Sequence, residues 1–143
     1  MKKIALVCFI IFSSVFILKA QTTKKPTAKT SVNPSLARGK AAYTQYCMAC
    51  HQADGGGVMG LNPPLIKTTY VLGDPKRMIN IILKGFNEEI EIDGDVYANP
   101  MPALNFLTDQ QVADILSYVR NSFGNKASII TAAQVKAVRA SKK

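Results

Sequence analysis

The sequence predicts a mainly α domain whose helices pack around something besides their own side chains, with one short β-hairpin. Three observations carry this. Apolar residues recur at three- and four-residue steps in segments that open on helix-start signals. Residues 87–97 instead alternate around an Asp-Gly turn. The remaining loops are long enough to need a partner to pack against.

The elements follow in chain order. Residues 1–20 have a basic start at Lys2 and Lys3, an uncharged apolar run from Ile4 to Leu18, and a small residue, Ala20. That is the pattern of a secretory signal peptide. The run of about fifteen residues is short for a spanning helix, which needs about twenty. Cleavage is expected after Ala20; the other reading is a retained anchor. Residues 21–32 are polar and basic without periodicity, as a flexible linker is. Asn33-Pro34 then starts a helix, with Leu36, Gly39, Tyr43, Tyr46 and Cys47 on one face. A glycine-rich loop, 55–60, leads to Asn62-Pro63-Pro64. Asp74-Pro75 starts a second helix with Met78, Ile79, Ile82 and Leu83 inward, closed by Gly85. In the hairpin, Ile90, Ile92 and Val96 alternate with Glu89, Glu91, Asp93 and Asp95 about the Asp93-Gly94 turn. A loop holding Pro100-Met101-Pro102 follows. Thr108 and Gln111 form a capping box for a helix expected to reach Phe123, with Val112, Ile115, Leu116 and Val119 inward and Gly124 as its stop. Thr131 and Gln134 form a second box, opening a basic terminal helix. The domain is thus placed at 33–126 and a basic helical extension at 127–143.

Charge is uneven along this plan. The formal total is +9 over 143 residues, and the three leader lysines account for part of it, leaving +6. Residues 33–126 hold all nine acids against eight Lys and Arg, so the domain itself is near neutral. The basicity lies in Lys24, Lys25 and Lys29 before it and Lys136, Arg139, Lys142 and Lys143 after it. Nucleic-acid binders place a basic stripe on the fold itself, so nucleic acid is not an expected partner. The tails, or an uncleaved leader, give a means of contact with a membrane surface or an acidic protein.

Without the leader's Cys8, two cysteines remain, Cys47 and Cys50. A loop that small staples almost nothing, so they need a chemical explanation. Cys47-Met48-Ala49-Cys50-His51 is the C-x-x-C-H pattern of c-type haem attachment. Residues three apart on a helical turn share a face, so both sulfurs can each take one vinyl-derived carbon, and His51 follows toward the iron. A thioredoxin-like site would sit near a βαβ pattern, and none is evident. A zinc site needs about four ligands, and the chain past the leader offers two Cys and one His.

His51 is the single histidine, so bis-histidine ligation is impossible. The sixth position falls to methionine, lysine, water or nothing. Met48 lies inside the motif, and Met78 lies on an apolar helix stripe where packing is its ordinary role. Met101, between two prolines that stiffen its loop, is the favoured ligand; Met59, in the glycine-rich loop, is the alternative, and an open position is the third.

With these motifs in place, residues 33–126 resemble the small monohaem class I cytochromes c, in their bacterial, exported form. The resemblance implies a cytochrome c-like fold around one covalently bound haem c and its iron. It implies that Gly39 and Tyr43 pack against the last domain helix, with Ile115 and Tyr118 facing them. It also implies that Pro63 or Pro64 accepts the proximal histidine's N–H, and that Met101-Pro102 supplies the sixth ligand. Residues 118–125 resemble modules that accompany periplasmic dehydrogenases and reductases, so a dehydrogenase, reductase or oxidase is the expected kind of redox partner. The acidic hairpin at 88–95 departs from the shortest family members. The function expected is a periplasmic one-electron carrier rather than an enzyme, with a haem enzyme subunit or gas sensor with an open sixth position as the alternative.

Overall fold

A computed structural model describes residues 33–141. The leader and linker expected at 1–20 and 21–32, with Lys142 and Lys143, lie outside the described residues. The described elements are α1 (Pro34–Tyr46), α2 (Met48–His51), α3 (Thr69–Leu72), α4 (Pro75–Lys84), β1 (Ile90–Ile92), β2 (Asp95–Tyr97), α5 (Asp109–Arg120) and α6 (Ala132–Ala140).

The helix starts form as their signals predict. Asn33 and Asp74 accept the N–H groups of Ser35 and Lys76, each ahead of a proline in the first turn. Thr108 with Gln111 and Thr131 with Gln134 close reciprocal capping boxes. The inward residues of α4 and α5 are buried as expected: Met78, Ile79, Ile82 and Leu83, then Val112, Ile115, Leu116 and Val119. No periodicity marks the one-turn helices α2 and α3. Each depends on its surroundings, and α3 is started by the Thr68 hydroxyl accepting the Val71 N–H.

Two expectations are corrected. First, α5 ends at Arg120, not at Phe123. Phe123 takes a positive φ of 58° and turns its ring back onto Tyr43 and Tyr118, with centroids 5.4 and 5.6 Å away. The buried Asn125 amide donates to Val119 O at 2.8 Å, a helix-end carbonyl that also accepts the Ser122 N–H at 3.4 Å. Second, Val96 does not share the inward face with Ile90 and Ile92. The two-residue turn at Asp93-Gly94 has positive φ at both positions, 54° and 88°. It pairs Ile90 with Tyr97 and Glu91 with Val96. Parity therefore flips across the turn: Tyr97 is buried and Val96 is half exposed.

The central contact is the crossing of α1 over α5. A Cβ on Gly39 would overlap the Asp114 carbonyl and lie 2.7 Å from Tyr118 Cβ, so the helices approach this closely only because Gly39 has no side chain. Of the two residues expected to face Gly39 and Tyr43, Tyr118 does so, its ring 5.4 Å from that of Tyr43. The backbone under Gly39 belongs to Asp114. Beside the crossing the Asp114 carboxylate accepts from Arg38 Nε at 2.6 Å, from Gln110 Nε2 at 2.9 Å and from the Ser35 hydroxyl. Burial alone would raise its pKa, but those donors hold it below the usual carboxylate value. This cluster has no signature in the sequence. Gly39→Val should cost about 3 kcal/mol by forcing the helices apart, and lower the thermal midpoint by roughly 12 °C. Gly60→Ala, with nothing within 4 Å of its Cβ, should cost about 1 kcal/mol for its positive φ alone. Equal midpoints for the two variants would refute the close-approach argument.

The segment set apart as a basic extension packs on α4 and α5. Ile130, Val135 and Val138 are buried in the same core as Ile79 and Ile115. Arg139 pairs with Asp109 at 2.8 Å and donates to Asn105 O and Leu107 O. One of the tail charges is thus committed to a staple between α6 and the start of α5.

Candidate haem-binding cleft

The α1 helix breaks at Cys47, whose φ of −121° is not helical, and restarts as α2 for one turn. His51 N–H closes that turn onto Cys47 O at 2.9 Å. The turn delivers Cys47, Cys50 and His51 to one cleft. The Cys47 side is buried and Cys50 exposed, and neither is in a disulfide. The cleft holds about 1040 Å³ of space, its solvent mouth included. Val71, Ile82, Ile115, Leu116 and Val119 supply apolar walls, and the hairpin adds Ile90, Ile92 and Tyr97.

His51 is buried, and its Nδ1 lies 3.0 Å from Pro63 O. A carbonyl only accepts, so Nδ1 carries the proton and Nε2 keeps a free lone pair. Burial pushes the His51 pKa down, with the Pro63 hydrogen bond opposing, which favours the neutral imidazole a metal requires. Of the two prolines the sequence left open, Pro63 is the acceptor. The glycine-rich loop explains its placement. Gly57 has φ of 68°, donates to His51 O at 3.1 Å, and sits where any Cβ would overlap Asn62 O. Val58 and Asn62 then bridge to turn the chain back.

Met101 lines the same cleft. Its prolines are not its only restraint. Met101 N–H donates to Phe86 O at 2.7 Å and Phe86 N–H returns to Met101 O at 2.9 Å. Gly85, with φ of 75°, lets this pair approach, since a Cβ there would stand 2.6 Å from Met101 O. Further on, Leu104 N–H is fixed to Ile82 O at 2.8 Å. A loop tied at both ends loses little entropy when its thioether is used as a ligand. Met59 is 77% exposed and does not line the cleft, nor does Met48. Met78 does line it, but it is a buried helix residue whose sulfur faces Arg120 Nη1 at 3.7 Å.

The chemistry of the donors narrows what the cleft can do. Burial, with Cys50 adding to it, pushes the Cys47 thiol up to about 11. Thiol–disulfide enzymes need the opposite, a lowered thiol pKa. Among the described residues no group of three or more His, Cys, Asp and Glu side chains could by itself hold a metal ion. Two thiols and one neutral imidazole at the rim of a large apolar cleft do fit a macrocycle that brings its own four nitrogen ligands.

Residues 36–123 match the family model for cytochrome c. The chain belongs to the cytochrome c family. Haem c with its iron is therefore the cofactor, and the protein is an electron-transfer haem protein of mainly α cytochrome c fold. It is 30% identical to cytochrome c-552 of Thermus thermophilus over 115 residues, covering 74% of this chain and 87% of that protein. It is 35% identical over 112 residues to the cytochrome c subunit of the quinone alcohol dehydrogenase of Komagataeibacter europaeus, covering 76% of this chain. It is 36% identical over 105 residues to the cytochrome c subunit of gluconate 2-dehydrogenase of Pantoea cypripedii, covering 71% of this chain. The match spans 24% of the length of each of these two subunits. Among the described residues no helix is long and apolar enough to cross a membrane.

Proposed function

We propose that this cytochrome is an exported, periplasmic one-electron carrier without catalysis of its own. It holds one haem through thioether bonds at Cys47 and Cys50, with His51 and Met101 as the axial iron ligands. The observation that carries this reading is the joint placement of two restrained donors in one cleft. His51 is oriented by Pro63 O with Nε2 free, and Met101 is clamped to Phe86.

The rest follows from coordination chemistry. A thioether in the sixth position raises the reduction potential and occupies the site where O₂ or CO would bind. What remains for the protein is to bury the group and leave an edge accessible. The exposed Cys50 beside the buried Cys47 supports an accessible edge at the cleft mouth. Redox proteins are the partners, and the similarity to dehydrogenase cytochrome subunits makes a periplasmic dehydrogenase a first candidate as donor.

The test is the absorption spectrum of the haem-loaded protein, read with and without CO. A six-coordinate low-spin spectrum with the thioether–iron band, and a ferrous form indifferent to CO, is the expected result. A high-spin spectrum with ready CO binding would replace the carrier by a haem enzyme subunit or gas sensor with an open iron.

A further inference from the structure

Arg120, the last residue of α5, is 3% exposed. Its Nη1 donates to Val71 O at 2.6 Å and Gly73 O at 3.1 Å, and its Nε donates to Ser128 O at 3.0 Å. Its remaining contacts are Ser128 Oγ at 3.4 Å and Met78 Sδ at 3.7 Å. Every one of these partners is neutral, and neither ion pair found among the described residues includes Arg120. Burial lowers its pKa from the ordinary value, with the charge of Asp74 opposing; a guanidinium stays protonated in proteins regardless. The Asp74 carboxylate is itself exposed to solvent at the N-cap of α4, where it accepts the Lys76 N–H at 2.9 Å. A full positive charge is therefore held inside the fold on carbonyl dipoles, an arrangement that desolvation makes unfavourable in itself.

Its location gives that charge a use. Val71 and Met78, which it touches, both line the cleft, so the guanidinium stands one residue layer behind the cleft wall. We propose that Arg120 is a positioning residue for the redox equilibrium: a fixed buried cation that raises the reduction potential of the haem. Oxidation adds one positive charge in the cleft. A like charge in a poorly screened interior disfavours that state, and no carboxylate among the described residues hydrogen-bonds Arg120 to neutralise it directly; the exposed Asp74 opposes it only through space. The hydrogen bonds also tie the ends of α3 and α5 to Ser128, which is a structural role and predicts only a loss of stability. The two roles separate in measurement. This inference rests on the haem-binding reading above.

Holoprotein carrying Arg120→Gln or Arg120→Lys is titrated against a redox mediator, and unfolding midpoints are recorded on the same samples. In Arg120→Gln the ferrous-to-ferric ratio at a fixed mediator potential should fall about tenfold, which is about 59 mV for one electron. Arg120→Lys keeps the charge but loses the fork of donors. It should unfold more easily yet hold its ratio close to wild type. An unchanged ratio in Arg120→Gln overturns the proposal, and so does a ratio that falls in Arg120→Lys as far as in Arg120→Gln. If Arg120→Gln does not mature, Arg120→Met takes its place as the uncharged variant: a ratio that falls well below that of Arg120→Lys supports the idea, and a ratio equal to that of Arg120→Lys sinks it. The spectrum separates the two readings. A wild type without a haem band removes the haem reading and this one together, whereas a low-spin haem whose potential ignores the charge at 120 removes only this one.

Discussion

Met101→Ala should turn the protein from a closed electron carrier into an open, ligand-binding haem protein. Among the described residues, the Met101 thioether is the one candidate sixth-position donor that both lines the cleft and lies in a clamped loop, held through Phe86 and Leu104. The clamp uses main-chain groups, so the loop should keep its course in the variant and leave a vacancy rather than collapse. Three readouts should change together. The thioether–iron band should vanish, the spectrum should move toward high spin, and CO or imidazole should bind where wild type excludes them. The potential should also fall by on the order of 100 mV or more, since axial ligands span about 0.8 V in haem proteins. Met59→Ala is the control: that side chain is 77% exposed and outside the cleft, and none of the three readouts should move. A wild type that binds CO as avidly as Met101→Ala would show the iron already open, and Met101 would then be no more than a packed loop residue.

The second large effect concerns attachment. Cys47→Ala with Cys50→Ala should leave haem that extracts freely into acidified acetone, whereas wild-type haem should stay on the polypeptide. The single variants should differ from one another. Cys47 is buried in the core cluster, so Cys47→Ala should lose packing as well as a thioether and mature less well than Cys50→Ala. The chain without its cofactor should be largely unfolded. Val71, Ile82, Ile115, Leu116 and Val119 all face the cleft, and with nothing there they lose a large share of the contacts that make core burial favourable. Far-ultraviolet circular dichroism of the unmatured chain measures this directly. Native helix content without haem would contradict it, and extraction of haem from matured wild type would end the thioether assignment.

Much of the local structure was legible because its causes are local. Asn33-Pro34, Asp74-Pro75 and the two Thr–Gln boxes act within a single turn, and the Asp93-Gly94 turn acts within two residues. The misreading of the α5 end came where a distant partner decided the outcome. Nothing near Phe123 says that α5 stops at Arg120. The rings of Tyr43 and Tyr118, with the Asn125 amide on Val119 O, bring the chain round instead. The inward face of the hairpin followed Val96 only as long as the turn's effect on strand parity was ignored. Asp114 and Arg120, two charged residues on a helix, carry no sequence signal of burial, yet both are buried on partners far away in the chain.

For the site itself, the sequence alone determined the kinds of atoms available. Cys47, Cys50 and His51 fall within five residues, and covalent geometry makes that spacing meaningful before any folding. The count of one histidine bounded the ligand set in the same way. Tertiary structure decided everything that depends on residues meeting across the chain. It made Pro63 rather than Pro64 the partner of His51, because Gly57 lets the loop double back on Asn62. It brought Met101 and not Met59 into the cleft, through a main-chain bridge to Phe86 that no side-chain pattern encodes. It also set the charge of Arg120 behind the cleft wall. Spacing along a chain constrains only what a turn or two can reach, whereas which loop closes over which helix is settled by packing, and packing sums contributions from the whole fold.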